Sequence, residues 1–313
     1  MKLHHNSELF NDLVALTAED MRLPESAVRR DYHIVMIMER LQNSEFADRC
    51  VFKGGTSLSK CYPGSIERFS EDIDLTFMPG QELSDNQYSK SIKRIEQAMA
   101  GDDTFEIIGE RRSNRSKSSF LWLDKTNFPE EKIKLEIGSM VRPDPVTVRS
   151  FMSYIQQYLE KSGHQDIARE YELNTVSLNT LCIERTFIDK VFSVRRHAIC
   201  GSLNQKVRHI YDVVQLMKMN EIKSLLNSPD ELGDLIQKTK ETDSYYIDHT
   251  SSGTGYDPTG PYAFEKWEKY FDNEIKKRYE SLHEDLLYTD TRQDFAEALA
   301  AFREIDRIFK ELE

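Results

Sequence analysis

The sequence predicts a mixed α+β / α/β chain: N-terminal helices, a small mixed sheet, and a C-terminal helical domain. Three observations carry this. Apolar residues recur at helical spacing through the first 45 residues, short alternating runs replace them between residues 50 and 140, and prolines at 143 and 145 precede a mostly helical remainder. The predicted divisions are N-terminal helices over 1–48 packing on the core, the sheet-bearing core over 49–142, and a helical domain over 143–313.

Within the first division, Val28, Tyr32, Val35, Ile37 and Met38 mark one face of a helix, and Pro24 breaks the helical pattern before it. The core carries the runs EDIDLTFM, DTFEIIGER, SSFLWLDK and EKIKLEIGSM, each reading as a strand, with one helix near 85–100 between them. RPDP at 142–145 suits neither a helix nor a strand interior. Beyond it the pattern is helical except for residues 244–262, whose Gly, Ser, Thr and Pro content reads as a long loop.

Composition excludes several classes. Charged residues make up 31% against 39% hydrophobic, a globular balance with too much apolar content for a disordered chain. No apolar run approaches the roughly 20 residues of a membrane helix, and the N-terminus has no basic-then-apolar leader, so a cytoplasmic protein without a membrane partner is expected. Cysteines at 50, 61, 182 and 200 form no CxxC pair, which argues against a zinc ribbon or a disulfide framework. Net charge is −12, yet residues 221–313 carry an excess of ten acids, leaving −2 for the first 220. Two basic clusters lie in that first part: Arg111, Arg112, Arg115 and Lys117, and six Lys/Arg from Arg185 to Arg208 with Asp189 as the one acid among them. A phosphate-rich partner suits such local charge. The first cluster, lying between two predicted strands with no acid inside it, is the candidate RNA-binding element.

The informative stretch is FKGGTSLSKCYPGSIERFSEDIDLTF, residues 52–77. In a strand, Ile73, Leu75 and Phe77 share one face, and Asp72, Asp74 and Thr76 the other, with Ser70 joining them. Two neighbouring carboxylates repel unless a cation lies between them, and aspartate is a poor strand residue. Their presence in an apolar strand marks a site, and oxygen donors of this kind suit Mg²⁺ or Mn²⁺. Upstream, Lys53, Gly54, Gly55 and Thr56 lead into a short helix; paired glycines and free helix N–H groups make a phosphate cradle. Cradle, helix and acidic strand in that order point to a nucleoside triphosphate (NTP) held by its phosphates beside a metal. Glu136, on the polar face of KIKLEIGSM, either completes the metal site or acts as general base. Farther on, Lys190 flanks the apolar face of ERTFIDKVFSVRRHA. Arg208 and Asp212, one turn apart, read from spacing as a surface i,i+4 ion pair.

KGGTSLSKCY, RFSEDIDL, KLEIG, DKVFSVRRHA and RHIYDVVQL together resemble the AbiEii/AbiGii toxin family of nucleotidyltransferases, within the polymerase-β-like superfamily. The resemblance covers roughly residues 30–220 and more loosely the helical tail. It implies a polymerase-β-like core and a bacterial toxin with a cognate antitoxin. It also implies an enzyme using an NTP and Mg²⁺ to add nucleotides to an acceptor hydroxyl, in some members the 3′ end of tRNA, with translation blocked and pyrophosphate released. Gly54, Gly55 and Thr56 match the phosphate loop. Ser70, Asp72 and Asp74 match an SxDxD segment whose carboxylates bind metal. Lys190 matches a triphosphate-contacting lysine, with Arg195 and Arg196 beside it, and Asp212 matches a required aspartate. Glu136 departs from the aspartate frequent elsewhere in the superfamily. Two other readings stand beside this one: transfer to a protein or small-molecule hydroxyl, and a non-catalytic module that binds RNA or the antitoxin.

Overall fold

The computed structural model describes residues 2–109, 112–122, 124–248, 255–285 and 292–312. The chain forms two compact units threaded through one another in sequence. The first holds residues 1–61, 69–139 and 146–180; the second holds 62–68, 140–145 and 181–313.

The first unit contains a mixed sheet, seven-stranded among the described residues, in the order β3-β4-β5-β2-β1-β7-β6. Its strands are β1 (Cys50–Lys53), β2 (Asp72–Phe77), β3 (Thr104–Ile107), β4 (Ser116–Trp122), β5 (Ile133–Gly138), β6 (Val146–Phe151) and β7 (Val176–Leu181). β2 lies antiparallel to β1 and parallel to β5, so the strands bearing Asp74 and Glu136 sit side by side near the centre. Ile73, Leu75, Phe77, Ile133, Leu135 and Ile137 are all buried, and helix α4 (Asp85–Ala100) packs against β4 and β5. A full capping box, Ser84 with Gln87, starts α4 where the sequence predicts it. Helices α1 (Ser7–Met21) and α2 (Glu25–Gln42) meet at Pro24. They share a core of Phe10, Leu13, Val14, Val28 and Tyr32 with Ile155 and Leu159 of α5 (Tyr154–Lys161).

The mixed α/β class is as predicted, but the sheet reaches further than the sequence suggests. Residues 146–181, read as helical, supply β6 and β7 as well as α5 and α6 (Gln165–Glu170). The division at 142–143 is therefore corrected: residues 146–180 belong with the sheet-bearing unit. β6 is an edge strand with both Val146 and Val148 exposed, so its sequence carries no buried alternation to announce it.

The second unit is helical. α7 (Ile183–Ile199) packs on α8 (Val207–Leu216), α9 (Asn220–Leu226) and α10 (Pro229–Asp248), and α11 (Asn273–Asp285) and α12 (Phe295–Lys310) pack on α8. Its aromatic core joins Phe192, Tyr262, Phe264, Trp267, Phe302 and Phe309, with Phe264 and Trp267 edge-to-face at 4.5 Å. The loop predicted from residue 244 begins later, because α10 runs on through Asp248. No described helix is long and apolar enough to cross a membrane.

Candidate active site

In the first unit, the glycine pair opens helix α3 (Gly54–Cys61) directly after β1. Gly54 has φ +83°, and a Cβ there would meet the Asp74 carboxylate, with Asp74 Cβ and Cγ only 3.1 Å away. Only glycine meets both demands, a left-handed backbone and close approach. Thr56 Oγ1 donates to Ser70 Oγ at 3.0 Å and contacts the Asp72 carbonyl, which ties the first turn of α3 to the start of β2. Ser57 Oγ donates back to the Gly54 carbonyl at 2.9 Å. Lys60 anchors the other end of α3. Its buried Nζ donates to Asp31 of α2 at 2.5 Å and to the Met152 carbonyl at 2.8 Å.

Asp72 and Asp74 alternate along β2 with the buried Ile73 and Leu75, so both carboxylates leave the same half-buried face. Asp74 stands in register with Lys53 on one side and Glu136 on the other. Glu136 is engaged by Lys134 at 2.8 Å and accepts from Ser118 Oγ at 3.4 Å. Among the described residues, no three acidic, histidine or cysteine side chains gather into a ready-made metal cage. A pair of carboxylates nonetheless fits Mg²⁺ or Mn²⁺, because Mg²⁺ bound beside a nucleotide takes one or two carboxylates and fills its octahedron with phosphate oxygens and water.

In the second unit, Asp212 is no surface residue. It is fully buried, and its partner is not Arg208 but Arg68 and Lys190. Arg68 Nε donates to Oδ1 at 2.6 Å and Nη2 to Oδ2 at 2.8 Å, a two-pronged grip, while Lys190 Nζ lies 2.8 Å from Oδ2. Burial alone pushes the Asp212 carboxyl up, but the two cations outweigh it and hold its pKa at about 2. Helix periodicity places Asp212 on the flank of α8 and gives no sign of Arg68, 144 residues earlier. The one available signal is an arginine two residues before the SEDID run. Arg195, also buried, donates to the Asp257 carbonyl at 3.1 Å and lies over the Tyr256 ring. Arg196 pairs with Asp243, which also accepts from Tyr256.

The structure corrects the picture of a free basic loop at 111–117. Arg111 lies outside the described residues. Arg112 grips the buried Glu96 through two bonds of 2.8 and 2.7 Å, and Arg115 pairs with Asp85 and Glu82 and lies over the Tyr88 ring. Lys117 is inside β4, buried, with its Nζ on the Ser113 carbonyl. Acids absent from the local sequence come from α4 and the residues leading into it.

A profile of the family described as nucleotidyl transferase AbiEii toxin, type IV toxin–antitoxin system, matches residues 36–306. The chain belongs to the AbiEii nucleotidyltransferase toxin family. The matched span includes the α3 cradle, β2, Lys190 and Asp212 and nearly all of the helical unit, beyond the stretch that local motifs cover. As an AbiEii protein the chain is a nucleotidyltransferase and the toxin of a toxin–antitoxin system. A search of curated proteins finds no match. Among solved structures, the chain is similar to MenT4, a nucleotidyltransferase toxin from Mycobacterium tuberculosis, at 20% identity and a TM-score of 0.48, covering 96% of this chain and 99% of that one.

Proposed function

We propose that this AbiEii enzyme moves a nucleotide from an NTP to the 3′ hydroxyl of an RNA, with tRNA the acceptor and arrested translation the result in a bacterial cytoplasm. The observation that carries the proposal is the packing of Gly54 against Asp74. It brings the N-terminal turn of a helix, with its free N–H groups, against the acidic face of a strand, where phosphate and divalent metal are needed together. Asp72 and Asp74 would hold Mg²⁺, which when bound supplies positive charge to a phosphoryl oxygen. Gly54, Gly55 and Thr56 orient the phosphates, with Lys53 and Ser70 flanking them. Lys190 meets the triphosphate as a point charge, and Arg195 and Arg196 add to the positive field. Glu136, tied to Lys134, lends its charge to the strand face beside Asp74.

A second reading draws on Arg112, Arg115 and Lys117. Since these cations are taken up by protein groups, the acceptor hydroxyl belongs instead to a protein or small molecule, consistent with a net charge of −12. Incubating the enzyme with each α-labelled NTP, with and without total RNA, separates the two. Label entering tRNA is the expected outcome. Label entering protein selects the second reading, and no incorporation with any acceptor sinks both.

A further inference from the structure

Within the first unit, the registers of β1, β2, β5 and β4 set two rows of side chains across one sheet face. One row runs Lys53, Asp74, Glu136, Ser118, and the other runs Asp72, Lys134, Phe120. Paired residues on neighbouring strands share a face, so Phe120 stands on the face that carries the acidic pair. It is the one large apolar side chain in those two rows, and it is only half-buried. The alternate residues of β4, Lys117, Ser119 and Leu121, point the other way and are buried. A part-exposed ring among charged groups offers its π-face to a flat partner.

The surroundings narrow that partner. Trp122 lies 6.2 Å from Phe120 at 60°, and Lys132 Nζ sits over the Phe120 ring at 4.5 Å. Lys132 is exposed, just before β5. A cation over a ring at an exposed site is a weak contact, weaker than base–aromatic stacking. A base can displace it, and the ammonium is then placed for a backbone phosphate. Phe120 is two strands from Asp72 in the same row, about 10 Å by strand spacing. A terminal nucleotide covers that span with its base on the ring and its 3′ hydroxyl beside the carboxylates. The side also matters. α3 packs on β1 and β2 with Gly54 against Asp74, so the phosphate cradle flanks the acidic pair from the β1 side. Phe120 flanks it from the β5 side. Cradle and ring thus lie on opposite sides of the carboxylates, as an in-line transfer requires of donor and acceptor. We infer that Phe120 is the stacking surface for the 3′-terminal base of the RNA acceptor, with Lys132 meeting the adjoining phosphate. The inference rests on the proposed transfer to RNA. It gives that RNA a docking surface that Arg112, Arg115 and Lys117, engaged within the protein, do not provide.

The test measures binding of a short single-stranded RNA with a free 3′ hydroxyl by fluorescence anisotropy, beside the KM for NTP in transfer to total tRNA. Phe120→Leu keeps an apolar side chain but removes the π-face. It should weaken RNA binding about tenfold while the KM for NTP holds, and Phe120→Tyr should bind as wild type does. The decisive arm changes the RNA instead. Wild type should lose about as much on the same RNA whose terminal ribose lacks its base, and Phe120→Leu should lose nothing further, since one contact accounts for both losses. Lys132→Gln should lower the salt slope of RNA binding by about 0.7, and an unchanged slope would remove Lys132 from the contact. Wild-type affinity in Phe120→Leu, additive losses with the abasic RNA, or a raised KM for NTP in place of the RNA effect would each overturn the inference. Should Phe120→Leu not fold, wild type and Phe120→Tyr decide on the two RNAs, and equal binding of intact and abasic RNA overturns it. Transfer to tRNA that is indifferent to Phe120 removes the platform and leaves the proposed function standing. Label that enters protein alone, with no RNA bound, removes the proposed function and the platform with it.

Discussion

The acids of β2 and the acid of α8 are the same residue type in opposite settings. Asp72 and Asp74 are half-buried neighbours on one strand face, with a third carboxylate, Glu136, in register beside Asp74. Asp212 is fully buried and answered by two cations. Half-buried carboxylates ranged along one strand face suit our proposal of a cation that arrives with the substrate. Complete pairing is the mark of a group whose work is to hold its neighbours. The first kind should matter for turnover and little for stability, and the second should matter for both.

The largest expected effect tests the first half. Asp72→Ala or Asp74→Ala should lower transfer on the order of a thousandfold, the equivalent of several kcal/mol of lost charge stabilisation. The Tm of the metal-free protein should change little, because both side chains lie half-buried on a strand face. A marked fall in Tm with activity retained would erase the distinction. The next effect belongs to Asp212→Ala, which strands two buried cations and should cost about 3–5 kcal/mol in denaturant unfolding. A loss under about 1 kcal/mol would mean that Arg68 and Lys190 find water or another acid at once. Gly54→Ala comes third. A positive φ and the Asp74 contact together should cost about 1–3 kcal/mol and suppress NTP binding; a crystal structure showing undisturbed Asp74 in that variant would rule out the close approach as its cause.

The smallest effect sharpens the comparison through pH. The Asp212 carboxyl stands at about 2 against an ordinary 3.8, so its stabilisation is complete above about pH 4 and is lost as pH falls toward 2. The stability difference between wild type and Asp212→Asn should be flat from neutral pH down to about 4, then shrink by about 2 kcal/mol. A difference that grows below pH 4 would give the opposite sign and place Asp212 among the repelling carboxylates.

What could be read from sequence divides along the same line. The glycine-led turn into α3 and the face of β2 were legible because each rests on residues within one turn or one strand: a glycine pair and a period of two. The Arg68 grip on Asp212 was not, since spacing along α8 offers Arg208 as the obvious partner and says nothing of a residue 144 positions away. The cations at 112–117 misled for the same reason. Their acids, Glu82, Asp85 and Glu96, lie on α4 or just before it, so a local count of charges finds no partner where the fold supplies three. β6 escaped because an edge strand with exposed valines lacks the pattern that burial imposes. Family resemblance implies a role for Asp212, and the side-chain geometry shows that it pairs with Arg68 and Lys190.

The threading of the chain has a consequence for how the toxin comes into being. Residues 62–68 join the second unit although they emerge from the ribosome before most of the first. Arg68 must therefore wait for Lys190 and Asp212 to be synthesised, and β1 must wait for β7. A nascent or prematurely terminated chain ending before residue 212 carries the glycine cradle and the acidic strand but not the charge pair that Arg68 completes. Synthesis order thus holds back the meeting of Arg68, Lys190 and Asp212 until about two thirds of the protein has been made.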